Sequence, residues 1–448
     1  MRPFLRRLAL AAPALAMLAA APQAAAFCGF FVAKGDARLF NEASKVVMVR
    51  DGNRTVITMV SDFEGEVSDF AMVVPAPTVL AREQIHVTEN AVVEHLDAYS
   101  APRLVEYFDP DPCQPIVVLE RMMALGAQAP VAMADGARNK ALGVTIEARY
   151  LVGEYDILIL SASQSDGLVT WLTENGYTLP EGAGPVLGSY IAQGMKFFVA
   201  RVNLEQHAKQ GGGLLRPLQI AFESPDFMLP IRLGMLNSKG SQDLLLYTLT
   251  RNGRVETANY RTVRMPTDAE IPVMVKERFG ETYKALYGQA VAQAGGAAVV
   301  LEYAWDMAWC DPCAADPLSA QELRELGVFW VNPGTGNRAP GQDVFVTRLH
   351  ARYDAESFPE DLRLVETGDR SNFQGRYILR HAFAGEMACE AGELYRQSLP
   401  QRYEREAQTL ASLTGWDIGE IRADMAEYGT DPTTAPEPVK WWKSLWKN

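Results

Sequence analysis

The stretch Lys45–Val60, "KVVMVRDGNRTVITMV", decides how the rest of the chain is read. Two runs rich in β-branched residues flank Asp51-Gly52-Asn53. That pattern predicts a β-hairpin, because branched side chains favour extended backbone and a Gly/Asn turn lets it reverse. The same signal recurs along the chain. "SDFAMVVPAP" is a strand ending on prolines, and "GVTIEARYLVGEYDILILSAS" reads as two strands. "MKFFVARVNL", "LRPLQIAFES", "FMLPIRLGML" and "QDLLLYTLTRNGRVETANYRTV" add more, the last turning at Asn252-Gly253. "AAVVLEYAW" and "DVFVTRLHARY" follow, and Leu362 to Phe383 reads as a hairpin.

Helices fall between these strands without regular alternation. In "ENAVVEHLDAY", Val92, Val93, Leu96 and Tyr99 lie at helical spacing with Asn90 as a cap. "DGLVTWLTENGYTLP" reads as a short helix closed by Asn175-Gly176. In "PVMVKERFGETYKALYGQAVAQAG", Val275, Phe279, Tyr283, Leu286 and Val291 form one stripe, which reads as a core-packing face. A long helix runs through "EMACEAGELYRQSLPQRYEREAQTLASL", with Pro400 expected to break or kink it. Clustered strands and interspersed helices predict an α+β fold with largely antiparallel β-sheets, several helices and a long C-terminal helix. The expected organisation is a signal peptide over 1–26, a β-rich α+β domain over 27–270 and a C-terminal α+β region over 271–428 that contains a CxxC. A Thr/Pro linker over 429–440 and a Trp/Lys tail over 441–448 complete it.

The leader has the composition of an export signal. Arg2, Arg6 and Arg7 precede an apolar run from Leu8 to Ala20, and Ala24-Ala25-Ala26 offers a cleavage site. Cleavage after Ala26 would leave a periplasmic or envelope-associated chain beginning Phe27-Cys28. Phe27 is too large for the residue that precedes a lipidated cysteine. The formal net charge is −13, and removing three arginines and no acid with the leader makes it −16. So acidic a chain lacks the basic footprint that nucleic acid requires.

Five cysteines, Cys28, Cys113, Cys310, Cys313 and Cys389, remain after cleavage and are all disulfide candidates in an oxidising compartment. An odd count leaves at least one without a partner in the chain. "WCDPC" at 309–313 resembles a thioredoxin centre, with Cys310 as nucleophile and Cys313 as resolving thiol. The Gly/Pro loop "VNPGTGNRAPGQD" stands where the second helix of such a unit belongs. A structural disulfide is therefore the leading reading of the pair, with Cys389 as another partner for one of the two, and redox chemistry is the alternative. A zinc site lacks its second half. His86, His95, His207, His350 and His381 stand in no metal-binding or triad-like context, and His350 reads as structural or exposed. Asp109, Asp111, Asp306 and Asp311 read as turn residues. No metal and no cofactor is expected.

At the C-terminus, 100° per residue puts Trp441, Trp442, Leu445 and Trp446 in one arc of about 140°, with Lys440, Lys443 and Lys447 opposite. Such a foot fits a membrane surface or an envelope protein as partner.

"FCGFF", "DFAMVVPAP", "VTWLTENGYTLP", "RNGRVETANY" and "VFVTRLHARY" occur in the order found in a bacterial secreted family, domain-of-unknown-function family 2330. The chain resembles that family from Cys28 to the region of Cys389. The resemblance implies an exported envelope protein and no assigned activity, and it places the CxxC inside a long domain unlike thioredoxin. Some members end in a hydrophobic anchor, which the short Trp/Lys tail is not. The expected function is an exported protein with a non-catalytic binding or structural role. The alternative is a thiol-disulfide oxidoreductase.

Overall fold

The computed structural model describes residues 30–34, 43–60, 70–114, 144–209, 215–237, 240–311, 315–332 and 343–436, with backbone alone at 30–34, 43 and 70. Within it, Lys45–Val60 is the expected hairpin. Strands β1 (Ala43–Asp51) and β2 (Arg54–Met59) pair antiparallel, with Gly52 at φ +60° in the turn. The four consecutive residues Val46–Val49 are all fully buried. A strand covered on both faces reads as a continuous apolar run, and this one is covered on both.

One face of the hairpin packs against another sheet. Val46, Met48, Ile57 and Met59 share a core with Met72, Val74, Ile157, Ile159, Phe198 and Ala200. These latter side chains come from a six-stranded antiparallel sheet that includes Phe70–Ala76, Tyr155–Ala162 and Lys196–Val202. The opposite face of that sheet is covered by helices Ser165–Glu174 and Ala183–Ala192. The hairpin itself belongs to a nine-stranded sheet, in which β1 runs parallel to β3 (Gln242–Thr250). That sheet continues antiparallel from β3 to β5 (Phe345–Tyr353), and from β5 to β4 (Ala298–Asp306). Strands on both sides of residue 270 thus share one sheet. Its outer face is covered by α1 (Asn90–Ser100), α2 (Phe279–Gln293) and α3 (Glu390–Thr414). The order of layers is helix, sheet, sheet, helix, and the fold is α+β with mostly antiparallel pairing, as the strand pattern predicts.

Several local expectations are corrected. The strands Leu362–Glu366 and Arg376–His381 form no hairpin with each other. The first pairs with Met228–Leu229 and Val255–Thr257. The second lies parallel between Arg103–Phe108 and Ala269–Ile271, where Tyr377 and Leu379 are buried in the core that includes α3. Asn252-Gly253 likewise links β3 to a strand of another sheet, because the backbone passes so close to 367–369 that a Cβ on Gly253 would sit 2.6 Å from two carbonyl oxygens. Asn90 is the first helical residue of α1 and no cap; its side chain donates to the Leu215 carbonyl at 3.3 Å. α3 runs unbroken through Pro400, its lost backbone bond offset by the burial of Leu399, Tyr403, Ala407 and Leu410.

A disulfide ties the end of the chain to its first third. Cys113 and Cys389 are bonded across 276 residues, so Cys389 pairs with neither cysteine of the CxxC. Cys389 also caps α3, accepting from the Gly392 amide at 3.2 Å. Gly392 leaves room for the bridge, since a Cβ there would meet Met387 at 2.6 Å and the Cys113 sulfur at 3.4 Å. A cross-link over so long a loop restricts the unfolded chain strongly. The double variant Cys113→Ser/Cys389→Ser is expected to lose roughly 2–5 kcal/mol of stability in urea unfolding. A loss under about 1 kcal/mol would show that the bridge does not hold the fold in this way.

Candidate functional site

Three places carry the chemistry of the chain. The first is the cysteine segment. Cys310 is an exposed free thiol just past the end of β4; Cys313, its expected partner, lies outside the described residues, as does Cys28. The next helix, Ala320–Glu325, begins ten residues later behind a Ser319 capping box. Cys310 therefore does not sit at the helix N-terminus that holds the nucleophile of a thioredoxin-type centre. Asp311 is buried and accepts from Tyr303 at 3.0 Å and Gln374 at 3.3 Å. Asp306 pairs with Arg370, Asp109 with Arg402 and Tyr395, and Asp111 caps the turn at Cys113. These carboxylates serve protein donors and do not converge, and the described residues hold no His/Cys/Asp/Glu cluster that could bind a metal.

The second place is a charged centre between the nine-stranded sheet and its helices. β5 alternates, so Arg348, His350 and Arg352 all face the helices. On β4 the pairing slips between Leu301 and Tyr303, which leaves Glu302 as the extra residue of a bulge. The bulge aims its carboxylate between Arg348 and His350. Glu302 is fully buried: one oxygen lies 2.7 Å from His350 Nδ1, and the other accepts from Arg348 Nε at 2.6 Å. Tyr283 of α2 also donates to Glu302. Arg348 reaches on to Asp97 of α1 at 2.5 Å, and Asp97 accepts further from Lys45 at 2.6 Å and Tyr247 at 2.8 Å. His350 Nε2 lies 3.3 Å from Asp243 Oδ1 but off the hydrogen-bond direction, and Asp243 is held by Arg352 at 2.8 and 3.0 Å. The Tyr287 ring stacks on the imidazole, with 3.9 Å between centroids.

Burial alone would push every one of these groups toward neutrality. For Asp97, burial raises the pKa, but Arg348 and Lys45 more than reverse it and hold the carboxyl at about 2. Glu302 is likewise held below the usual carboxylate range, against burial, by His350 and Arg348. Burial disfavours the His350 cation, yet Glu302 and Asp243 outweigh it and raise the imidazole pKa. The exposed reading of His350 is corrected, since the ring is buried against Glu302 and Tyr287. The sequence reading missed Glu302, Arg348, Asp97, Asp243 and Lys45 as members of one centre. A signal was present, namely charged residues at every second position of "TRLHARY" and a lone Glu within "VVLEYAW".

The third place is a cleft of about 250 Å³ open to solvent. Its base is Asp361, a buried carboxylate that accepts from Tyr190 at 2.5 Å and from the Ile231 amide at 2.9 Å. Its second oxygen receives Arg232 Nε and Nη2 at 3.1 and 2.9 Å, while the guanidinium lies 4.8 Å over the Tyr190 ring. Neither this cleft nor a second one of about 190 Å³ beside Gln84 and His86 touches the Glu302 centre. No histidine among the described residues hydrogen-bonds a serine, threonine or cysteine. The Trp/Lys tail, with Lys440, Trp441, Trp442, Lys443, Leu445, Trp446 and Lys447, lies outside the described residues, as does the leader.

These features define a layered α+β protein with a charged centre built on buried Glu302, Arg348 and His350 and an open polar cleft. A family model matches residues 22–365, and the chain belongs to that family, described as an uncharacterized protein conserved in bacteria (DUF2330). The matched span holds Glu302, His350 and the cleft, while Cys389 lies beyond it. No curated protein and no solved structure matches the chain.

The raised His350 pKa stabilises the fold fully below the ordinary imidazole value and ceases to do so as the pH rises through its elevated value. The lowered Asp97 pKa acts in the other direction, with stability lost as the pH falls from the ordinary carboxylate range toward about 2. Urea unfolding from pH 5 to 10 should therefore show an alkaline decline in wild type that is absent in His350→Gln. Glu302→Leu leaves Arg348 and His350 facing each other and should cost about 3–5 kcal/mol at neutral pH. An unchanged pH profile in His350→Gln would remove the ring from this role.

Proposed function

We propose that the protein is exported to the cell envelope and has a non-catalytic role there, binding a ligand at its surface cleft on a frame held by the charged centre. The observation that carries this reading is the Cys113–Cys389 bridge. A structural disulfide across 276 residues persists in an oxidising compartment and is rare in a reducing one. The leader supports the same compartment, with its n-region arginines, apolar run and Ala24-Ala25-Ala26 site. No described helix is long and apolar enough to cross a membrane. The Trp/Lys tail would then be the contact with a membrane surface or an envelope protein.

A non-catalytic role fits the way the polar groups are spent. Glu302 and His350 are buried and turned toward each other, and the half-buried Asp97 and Asp243 are held in ion pairs with arginines, whereas an acid–base catalyst must reach its substrate. The oxidoreductase alternative draws on the exposed Cys310 thiol. It calls for activation that a thiol ten residues from the next helix does not receive.

Fractionation of cells and N-terminal sequencing test the proposal. The expected product is a periplasmic or envelope protein beginning at Phe27 with the 113–389 bridge closed; a cytosolic chain retaining Met1 and reduced thiols would overturn it. Truncation after Thr434 should abolish envelope association, and unchanged partitioning would end the docking role of the tail. Insulin reduction should proceed at the same rate with wild type and Cys310→Ser. A loss of rate in the variant would revive the redox reading.

A further inference from the structure

The cleft at Asp361 presents two opposite charges that do not meet. Met228 and Arg363 are cross-strand partners, so their side chains share a face. Asp226 stands two residues before Met228 in the same extended segment, and the ladder continues between them through the Leu364 amide and the Phe227 carbonyl at 2.7 Å. Asp226, Met228 and Arg363 all line the cavity. Neither the Asp226 carboxylate nor the Arg363 guanidinium has a hydrogen-bond or ion-pair partner among the described residues. Arg50 donates to the backbone carbonyls of Pro225 and Asp226 and feels the charge of the Asp226 carboxylate, but makes no hydrogen bond or ion pair with it. Arg232, by contrast, is already neutralised and fixed in place by buried Asp361.

We infer that this cleft binds a small zwitterion, a free α-amino acid or a di- or tripeptide, with its ammonium on Asp226 and its carboxylate on Arg363. The inference rests on the binding role proposed above and names its ligand class. A simple anion would face Asp226 and Glu360, and a simple cation would face Arg363, since both signs line the same wall. A ligand carrying both charges a few bonds apart satisfies the two ends together. The volume of about 250 Å³ lies below the roughly 300–1,000 Å³ of sites for drug-sized molecules, which favours something short. Met228 supplies an apolar contact for a side chain, and the Asp361 hub gives the pocket a rigid base.

The test is isothermal titration of the mature full-length protein with a panel of free α-amino acids and L-alanyl-L-alanine. For each ligand that binds, the N-acetylated and C-amidated forms are titrated as well. Saturable binding at millimolar concentration or below is expected, at least tenfold weaker when either end is capped. Asp226→Asn should weaken the free ligand tenfold and no longer discriminate against its N-acetylated form. Arg363→Gln should do the same for the amide. Both positions are exposed, so both variants should unfold at the wild-type temperature. Equal binding of capped and free forms would overturn the ligand class while leaving a binding role in place. Absence of binding by the whole panel would also overturn it, and the compartment is decided separately by the recovered N-terminus and bridge.

Discussion

A carboxylate removed from water must be answered on every side, and Glu302 is answered by an imidazole, a guanidinium and a phenol. Those partners come from β5 and α2, and through Arg348 the chain of contacts extends to Asp97 on α1, Tyr247 on β3 and Lys45 on β1. One buried charge thus sets the position of two covering helices on four strands. The bulge at Leu301/Tyr303 is the condition for this, since it is the extra residue that places Glu302 between Arg348 and His350. Such a centre need not exceed an apolar core in stability; its distinctive property is that removing one member strands the others. Register and helix placement are thereby tied to a single set of charges.

Inside and outside differ in how charge is used. In the centre, each carboxylate faces cations and hydrogen-bond donors, and neither of the two clefts is lined by it. At the Asp361 cleft, one ion pair is built into the floor while a carboxylate and a guanidinium stand apart on the wall. The disulfide belongs with the first kind of feature. It anchors the start of α3 beside the turn that follows Arg103–Phe108, and so holds the outer helix over the sheet that carries the centre.

The parts legible in the sequence were those encoded by nearest neighbours. β-branched runs marked the strands, and Gly52 and Gly176 marked turns that do adopt positive φ. Val92, Val93, Leu96 and Tyr99 named the buried face of α1 correctly. Pairing across the chain was not legible. Leu362–Glu366 and Arg376–His381 looked like a hairpin because they are adjacent, yet each pairs with strands remote in sequence. The bridge between Cys113 and Cys389 was not legible either, because it joins residues 276 apart and no local pattern marks it. The site was half legible: the alternation of Arg348, His350 and Arg352 was readable, but the bulge that brings Glu302 to them was not. Nothing local in "PDFMLPIR" or "PEDLRLV" signals the cleft, which exists only because remote segments lie side by side.

Direct titration of the His350 imidazole by NMR tests the account at its centre. The ring should titrate above the ordinary value of about 6.5, with the midpoint falling when Glu302 is replaced by Gln. A midpoint at or below that of an exposed histidine, or one indifferent to Glu302, would contradict the claim that this buried charge set organises the sheet and its helices.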